Sequence, residues 1–234
     1  MIAYENDGQT ARITFNAPET GNRVTYRMMN DYIAALEASH QSGARVLVLR
    51  SEGEHFTLGR DQKEKVDVPK RDNLGLILRA NDLLRTFPGV SLALVKGRAM
   101  GFGSGIALHA SIAVAEESAI FGFDEIKHGL APLIVVLYLP HFIPRKAASE
   151  LCLTGRDVGA AEAAAIGLIN RVVPDGALAA AEAEILDVLA SYHPGALSLI
   201  RRFVNGVSDY PSAEDGHLAV DQLAAWLEAG KPTS

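Results

Sequence analysis

The chain has a single cysteine, Cys152, in 234 residues. That count excludes an internal disulfide and a cysteine-built zinc site, and it fits a reducing compartment. Cys152 lies in Ser149-Glu150-Leu151-Cys152-Leu153, where the pattern predicts a helix and a core position for the thiol. A basic surplus is missing too. The 22 lysines and arginines face 28 aspartates and glutamates, giving a formal net charge of −6, which argues against a nucleic-acid surface. No run approaches the roughly 18 apolar residues of a membrane span. The first residues carry Glu5 and Asp7 and do not read as a secretory leader. The expectation is a cytoplasmic protein without membrane or nucleic-acid partners. Internal repeats and low-complexity segments are absent, apart from alanine-rich residues 159–165 and 177–183.

Hydrophobic residues make up 48% and charged residues 21% of the chain, an ordinary globular balance with enough length for a core of its own. The most informative stretch is Val95-Lys96-Gly97-Arg98-Ala99-Met100-Gly101-Phe102-Gly103-Ser104-Gly105. The apolar run Ser91–Val95 before it predicts a buried strand, and Ile106–Ala110 after it can start a helix. A strand that enters glycines and then a helix aims unpaired N–H groups at one point, with the helix dipole behind them. Such a place seats negative charge. Equally, the glycines serve a tight turn and close helix packing. Three familiar loops fail on spacing. The glycine at 105 is misplaced for a dinucleotide fingerprint, and no Gly-Lys-Ser/Thr follows as in a phosphate loop. Ser104 sits one position off a serine-hydrolase elbow.

Strands alternate with helices early, and helices dominate late. Ile2–Glu5 and Thr10–Phe15 predict a hairpin about Asp7-Gly8. Thr25 is placed to cap a helix over Tyr26–His40, with Met29, Ile33 and Leu36 on its buried face. Arg45–Arg50 predicts a strand covered on both sides. His55–Asp61 reads as a glycine-interrupted strand end, 62–72 as a mobile charged surface segment, and Asn73–Thr86 as a helix. Further strands are expected at Ser111–Ala115 and Leu168–Pro174, with a buried helix within 131–143. Leu178, Ala181, Ile185 and Leu189 share one helical face, and Val220, Leu223, Ala224 and Leu227 another. The expectation is an α/β core domain over residues 1–175 and a helical C-terminal region over 176–234.

Phe56-Thr57-Leu58-Gly59-Arg60-Asp61 resembles a Phe-Ser-Ala-Gly-x-Asp motif, and Val95–Leu108 a Val-x-Gly-x-Ala-x-Gly-Gly-Gly-x-x-Leu-Ala motif. Phe121–Leu130 resembles Phe-Gly-x-Pro-Glu-x-x-x-Gly-Leu. Glu150–Gly155, Ala161-Glu162-Ala163 and Gly167–Asn170 resemble a run that leads into a last core strand. These motifs, in this order across roughly half the chain, are those of the crotonase superfamily, the enoyl-CoA hydratases and isomerases.

The resemblance implies a crotonase-like spiral of stacked ββα turns whose C-terminal helices serve oligomerisation, in homotrimers or dimers of trimers. It implies a coenzyme A thioester as substrate, no separate cofactor and no metal. It also implies an oxyanion hole of two backbone N–H groups, which by position fall on Leu58 and Phe102, and substrate contacts from Gly59, Asp61, Gly101, Gly103, Gly105 and Leu133. Two fixed donors stabilise a thioester enolate by several kcal/mol, at about 2.7–4 kcal/mol each by analogy with acyl transfer. Backbone donors tolerate Phe102 in place of the usual glycine, but its ring must find room and can reshape the acyl pocket.

Hydratases of this family typically use two glutamates. One falls where this chain has Gly105, and the other on Glu125. Adding water is easiest with two acid/base groups, whereas moving a double bond needs one base, so a lone Glu125 favours isomerisation. Ala131-Pro132-Leu133-Ile134-Val135-Val136-Leu137 replaces a glycine-rich segment of the family. It is expected to dry the pocket and raise the carboxyl pKa. Hydration by Glu125 alone and other enolate chemistry stay open, as does a catalytically silent acyl-CoA-binding protein. Glu125 could instead be a structural partner of Lys127 or Arg145, His128 a helper or a packing residue, and Asp61 a turn holder. Lys63, Lys65, Lys70 and Arg71 could meet the coenzyme A phosphates or be solvated charges. The stretch after Arg202 is short for the family, and Gly230–Ser234 lacks the basic-aromatic ending that in some members helps bind a neighbouring subunit's cofactor.

Overall fold

The Asp7-Gly8 turn closes the first hairpin as expected, with Asp7 Oδ1 accepting from the N–H groups of Gln9 and Thr10 at 2.9 and 2.8 Å. The computed structural model describes residues 1–193 and, beyond them, 195–198, 200, 201, 217, 220, 221, 224, 225 and 228. Its strands are β1 (Ile2–Asn6), β2 (Thr10–Phe15), β3 (Val46–Ser51), β4 (Val90–Val95), β5 (Arg98–Met100), β6 (Ile112–Glu116), β7 (Ile120–Gly122), β8 (Asp157–Gly159) and β9 (Arg171–Val173). Its helices are α1 (Tyr26–Gln41), α2 (Lys70–Arg85), α3 (Phe102–His109), α4 (Leu133–Tyr138), α5 (Arg145–Thr154), α6 (Ala160–Ala165) and α7 (Leu178–Ala190).

The larger sheet has the order β1-β2-β3-β4-β6-β9, and the smaller β5-β7-β8. Only β1–β2 and β7–β8 are antiparallel. The chain alternates between the sheets: β4 to β5 to α3, then β6 to β7 and onward to α5, then β8 to α6 to β9. That is the expected spiral of ββα turns. Its central strands β3, β4 and β6 are mostly apolar because both faces are covered. Leu47, Leu49, Ala93, Val95, Ala113 and Ala115 enter the main core. Their alternates Val46, Val48, Leu92, Leu94 and Val114 pack on the other side against Leu178, Ala181, Ile185 and Leu189 of α7.

Thr25 caps α1 as expected, its side chain accepting from Met28 N–H. Other bounds shift for local reasons. The Leu168–Pro174 strand shortens to Arg171–Val173 because Asn170 mimics a strand partner with its side chain. Its Oδ1 accepts from Ala113 N–H at 2.8 Å while its own N–H donates to Ala113 O at 2.9 Å. The helix expected within 131–143 breaks after Tyr138 into a 3₁₀ turn, Leu139–His141, around Pro140. His55–Asp61 forms isolated bridges rather than a strand end. Val220 and Ala224 are buried as expected; Leu223, Leu227 and the Gly230–Ser234 ending lie outside the described residues. Among the described residues no helix is long and apolar enough to cross a membrane.

Two glycines of α3 carry opposite constraints. A Cβ on Gly103 would stand 2.7 Å from Thr57 Cγ2 and 3.0 Å from Thr57 O, whereas one on Gly105 meets nothing within 4 Å. We expect Gly105→Ala to raise stability by about 0.5–1 kcal/mol through helix propensity, and Gly103→Ala to lower it. Equal melting shifts of the same sign in thermal unfolding would contradict this packing.

Candidate active site

The site grows from two segments that pair outside the long strands. Thr57 N–H donates to Arg98 O at 3.1 Å, and Met100 N–H donates to Thr57 O at 2.9 Å. The loop after β3 therefore runs beside β5 into the turn at Gly101. Gly59 approaches that turn so closely that a Cβ would stand 2.7 Å from Met100 O, and its φ of +79° independently calls for glycine. Thr57 Oγ1 holds the loop from behind, donating to Asn22 O at 2.6 Å and accepting from Gly59 N–H at 3.1 Å.

The N–H groups left open differ from the expectation. Leu58 N–H donates to Gly21 O at 3.0 Å, so it belongs to the loop's own framework and cannot serve as a free donor. Further on, Val24 N–H donates to Gly59 O and Asp61 N–H to Val24 O. In such a parallel bridge the residue between, Arg60, turns its own N–H to the other side. Among the described residues no acceptor pairs with the N–H of Arg60 or of Phe102, the first residue of α3. Arg60 and Phe102, not Leu58 and Phe102, are the open pair. The Phe102 ring finds its room in the core, edge-on to Tyr32 with centroids 5.9 Å apart.

Glu125 reaches the same turn through the small sheet. Gly101 N–H donates to Gly122 O at 2.8 Å, and the 3₁₀ turn Asp124–His128 follows β7. Glu125 Oε1 lies against Gly101, where a Cβ would stand only 3.0 Å away. Oε2 is buried without a hydrogen-bond partner among the described residues. Burial pushes this carboxyl up to about 7. Asp124 adds to the rise, while a backbone hydrogen bond within Glu125 and the nearby His128 oppose it. Among the described residues no ion pair joins Glu125 to Lys127 or Arg145; Lys127 faces Asp157 at 3.7 Å. His128 sits on the exposed side, 3.2 Å from Asp124 Oδ2. The Cys152 thiol is buried as expected, and it is pushed up to about 12 by burial and by the charge of Glu125.

A cleft of about 1170 Å³ opens over these groups. Leu58, Gly59, Asp61, Gly101, Phe102, Gly105 and Glu125 line it. Gly103 does not; it packs against Thr57. Leu133 joins a cluster with Ile134 and Val220, and the apolar wall is instead Leu130, Ile134 and Val135. Asp61 also holds its turn, accepting from Lys63 N–H at 2.9 Å. The segment 62–72 is a wall of the cleft rather than a free surface strip. Lys63, Lys65 and Lys70 face the opening, and Glu64 accepts from Tyr26 N–H at 2.6 Å. Arg71 pairs with Asp221 instead. Sequence reasoning missed Arg60, Asn73, Asn81, His109 and Tyr138, all of which line the cleft. They come from the loop after β3 and from α2, α3 and α4, and only the folded chain brings them together.

The raised carboxyl makes stability depend on pH. Between the unfolded value of 4.5 and the folded value of about 7, the folded state holds the proton that the unfolded state has lost, so stability falls as pH rises. Glu125→Gln removes this term. We expect the variant to be more stable than the parent by roughly 2–3 kcal/mol above pH 7.5, and the two to converge below pH 4.5, in denaturant titrations. A pH-independent difference would place Glu125 in contact with solvent.

Residues 5–223 match the family model for enoyl-CoA hydratase/isomerase. The enoyl-CoA hydratase EchA19 of Mycobacterium tuberculosis is 31% identical over 222 residues, covering 90% of this chain and 82% of that protein. An enoyl-CoA hydratase structure from Mycobacterium avium subsp. paratuberculosis superposes with a TM-score of 0.88 at 22% identity, covering 97% of this chain and 93% of that one. Another, from Mycobacterium smegmatis, gives 0.84 at 22% identity, covering 99% and 92%; at this identity both report the fold alone. With a matched model over nearly its whole length and a relative at 31% identity, this chain belongs to the enoyl-CoA hydratase/isomerase family.

Proposed function

We propose that the protein moves the double bond of an enoyl-CoA thioester, with Glu125 as its only acid/base group. The observation that carries this reading is a buried carboxylate beside two open N–H groups, with nothing opposite it at Gly105. The thioester oxygen lies between Arg60 N–H and Phe102 N–H. These donors stabilise the enolate that forms when Glu125 takes a proton from the acyl chain, and Glu125 then returns the proton to a second carbon. A pKa of about 7 suits both halves of this exchange, because the group gives up and takes the proton at similar cost. Leu130, Ile134 and Val135 keep water away from the carboxylate. Lys63, Lys65 and Lys70 at the opening suit the phosphates of coenzyme A. The subunits assemble as a homotrimer or a dimer of trimers, a reading that rests on the family resemblance.

A second reading, hydration, is favoured by the names of the relatives, which do not support the isomerase preference. Glu125 would then activate water alone. The two are separated by offering matched 2-enoyl- and 3-enoyl-CoA thioesters in deuterated water and following the products by mass spectrometry. We expect the positional isomer, with deuterium at the α and γ carbons, and loss of exchange by 10²-fold or more in Glu125→Gln. Accumulation of 3-hydroxyacyl-CoA establishes hydration instead. Binding without any exchange identifies a silent acyl-CoA-binding protein.

The space at Gly105 gives a further test. Gly105→Glu introduces a second carboxylate at a position where a Cβ meets nothing within 4 Å, and we expect the ratio of hydration to isomerisation to rise. An unchanged product ratio in a folded variant would show that the missing carboxylate does not set the reaction.

A further inference from the structure

The cleft changes character along its length. At one end are Arg60, Phe102 and Glu125. From there α3 presents Phe102, Gly105, Leu108 and His109 to the cleft, one stripe at helical spacing. The seven steps from Phe102 to His109 carry the wall about 10 Å inward. Across the cleft, α2 runs the same course. Arg60 Nη2 donates to Asn73 Oδ1 at 2.5 Å, which fixes the outer end of α2 beside the open N–H pair. Asn81, two turns on, lies about 12 Å further along that helix. The middle is apolar, with Ile77, Leu108 and Ile134.

The inner end is not apolar. The rings of His109 and Tyr138 meet edge-on with centroids 4.8 Å apart, and both feel the charge of Arg85, four residues beyond Asn81 on α2. Asn81 belongs to this same end. It is 7% exposed, and what remains exposed opens onto the cleft. Among the described residues its carboxamide has no hydrogen-bond partner. A largely buried residue whose amide opens its donor and its acceptor onto the cleft is an unusual way to close an apolar channel. A chain held only by hydrophobic contact would leave it unsatisfied.

We propose that Asn81 reads the far end of the acyl group, and that the preferred thioesters carry a neutral hydrogen-bonding function there, such as a hydroxyl, carbonyl or amide. This rests on the acyl-CoA reading of the site. The course of about 10–12 Å along α3 and α2 corresponds to an extended chain of roughly eight to ten bonds, at about 1.2 Å per bond as in extended backbone. The recognition is by hydrogen bond rather than by charge. Burial, with Arg85 adding to the effect, holds His109 down at about 3, so its ring is uncharged, and Arg85 is itself paired with Asp82 at 2.8 Å.

The test compares two enoyl-CoA thioesters of matched length, one ending in a methyl group and the other in a hydroxyl, by kcat/KM for whichever product the enzyme forms. We expect the parent to favour the hydroxyl by about tenfold or more. Asn81→Leu should bring the ratio to one or invert it, and Asn81→Ala should also lower it. The ratio is read within each variant, so a general loss of activity does not mimic the effect, and circular dichroism confirms folding. Equal turnover of both thioesters by the parent overturns the inference while leaving the acyl-CoA reading in place. So does a hydroxyl preference that survives both substitutions. Failure to bind or turn over either thioester overturns the acyl-CoA reading and this inference together.

Discussion

The architecture of the site depends on one short backbone pairing, between Thr57 and the chain at Arg98–Met100. It lies outside the long sheet, and it determines which N–H groups face the cleft. Because Thr57 is bonded on both sides, Gly59 is pressed against Met100 O, and the next N–H, that of Arg60, arrives beside the first turn of α3. Neither donor depends on its own side chain. The direction of each N–H is therefore set by the backbone, while the side chains of Arg60 and Phe102 serve the packing around it and position 59 excludes any Cβ. Gly103 extends the same constraint, since α3 can sit down on Thr57 only because position 103 lacks a side chain. Donors held this way need no reorganisation when charge appears on a substrate oxygen, which is the source of their advantage over solvent.

Glu125 is the complementary element. A carboxylate buried with one oxygen unpartnered is unfavourable for folding, and the carboxyl answers by keeping its proton up to about pH 7. The rest of the fold must offset that cost. The large sheet does so, with both faces covered by aliphatic side chains. The carboxylate is delivered by the smaller sheet, through Gly101 N–H to Gly122 O. Donors and base thus come from separate turns of the spiral and meet only because the spiral stacks.

Much of this was legible in the sequence. Apolar runs marked the strands of the large sheet, and Asp7 and Thr25 announced a turn and a cap that form as expected. Glu125 was singled out through motif resemblance, and the expected rise of its carboxyl pKa is present, caused by burial. The misassigned donor at Leu58 has a physical cause. Which N–H a loop leaves open depends on the acceptors that approach it. Gly21 O and Val24, which settle the matter, are some 35 residues away in the chain. The small sheet escaped notice because strands of three residues carry no periodicity to detect. Asn81 and His109 were invisible for a related reason. Each reads as an ordinary helical residue, and only the side-by-side course of α2 and α3 makes them neighbours.

Helix α3 links the chemistry to specificity. Its first residue leaves an N–H open to the cleft, its first turn ends at the unobstructed Gly105, and its last residue, His109, lines the inner end; in the proposed reaction the first of these would meet the thioester oxygen. If the substrate lies along this helix, as proposed, one rigid element sets reaction and recognition at a fixed separation. A chain too short to reach Asn81 leaves the amide unsatisfied, and one too long disturbs the thioester between its two donors. On the proposed reading, selection for length and for end group would therefore be the same selection, enforced by the rise of a single helix.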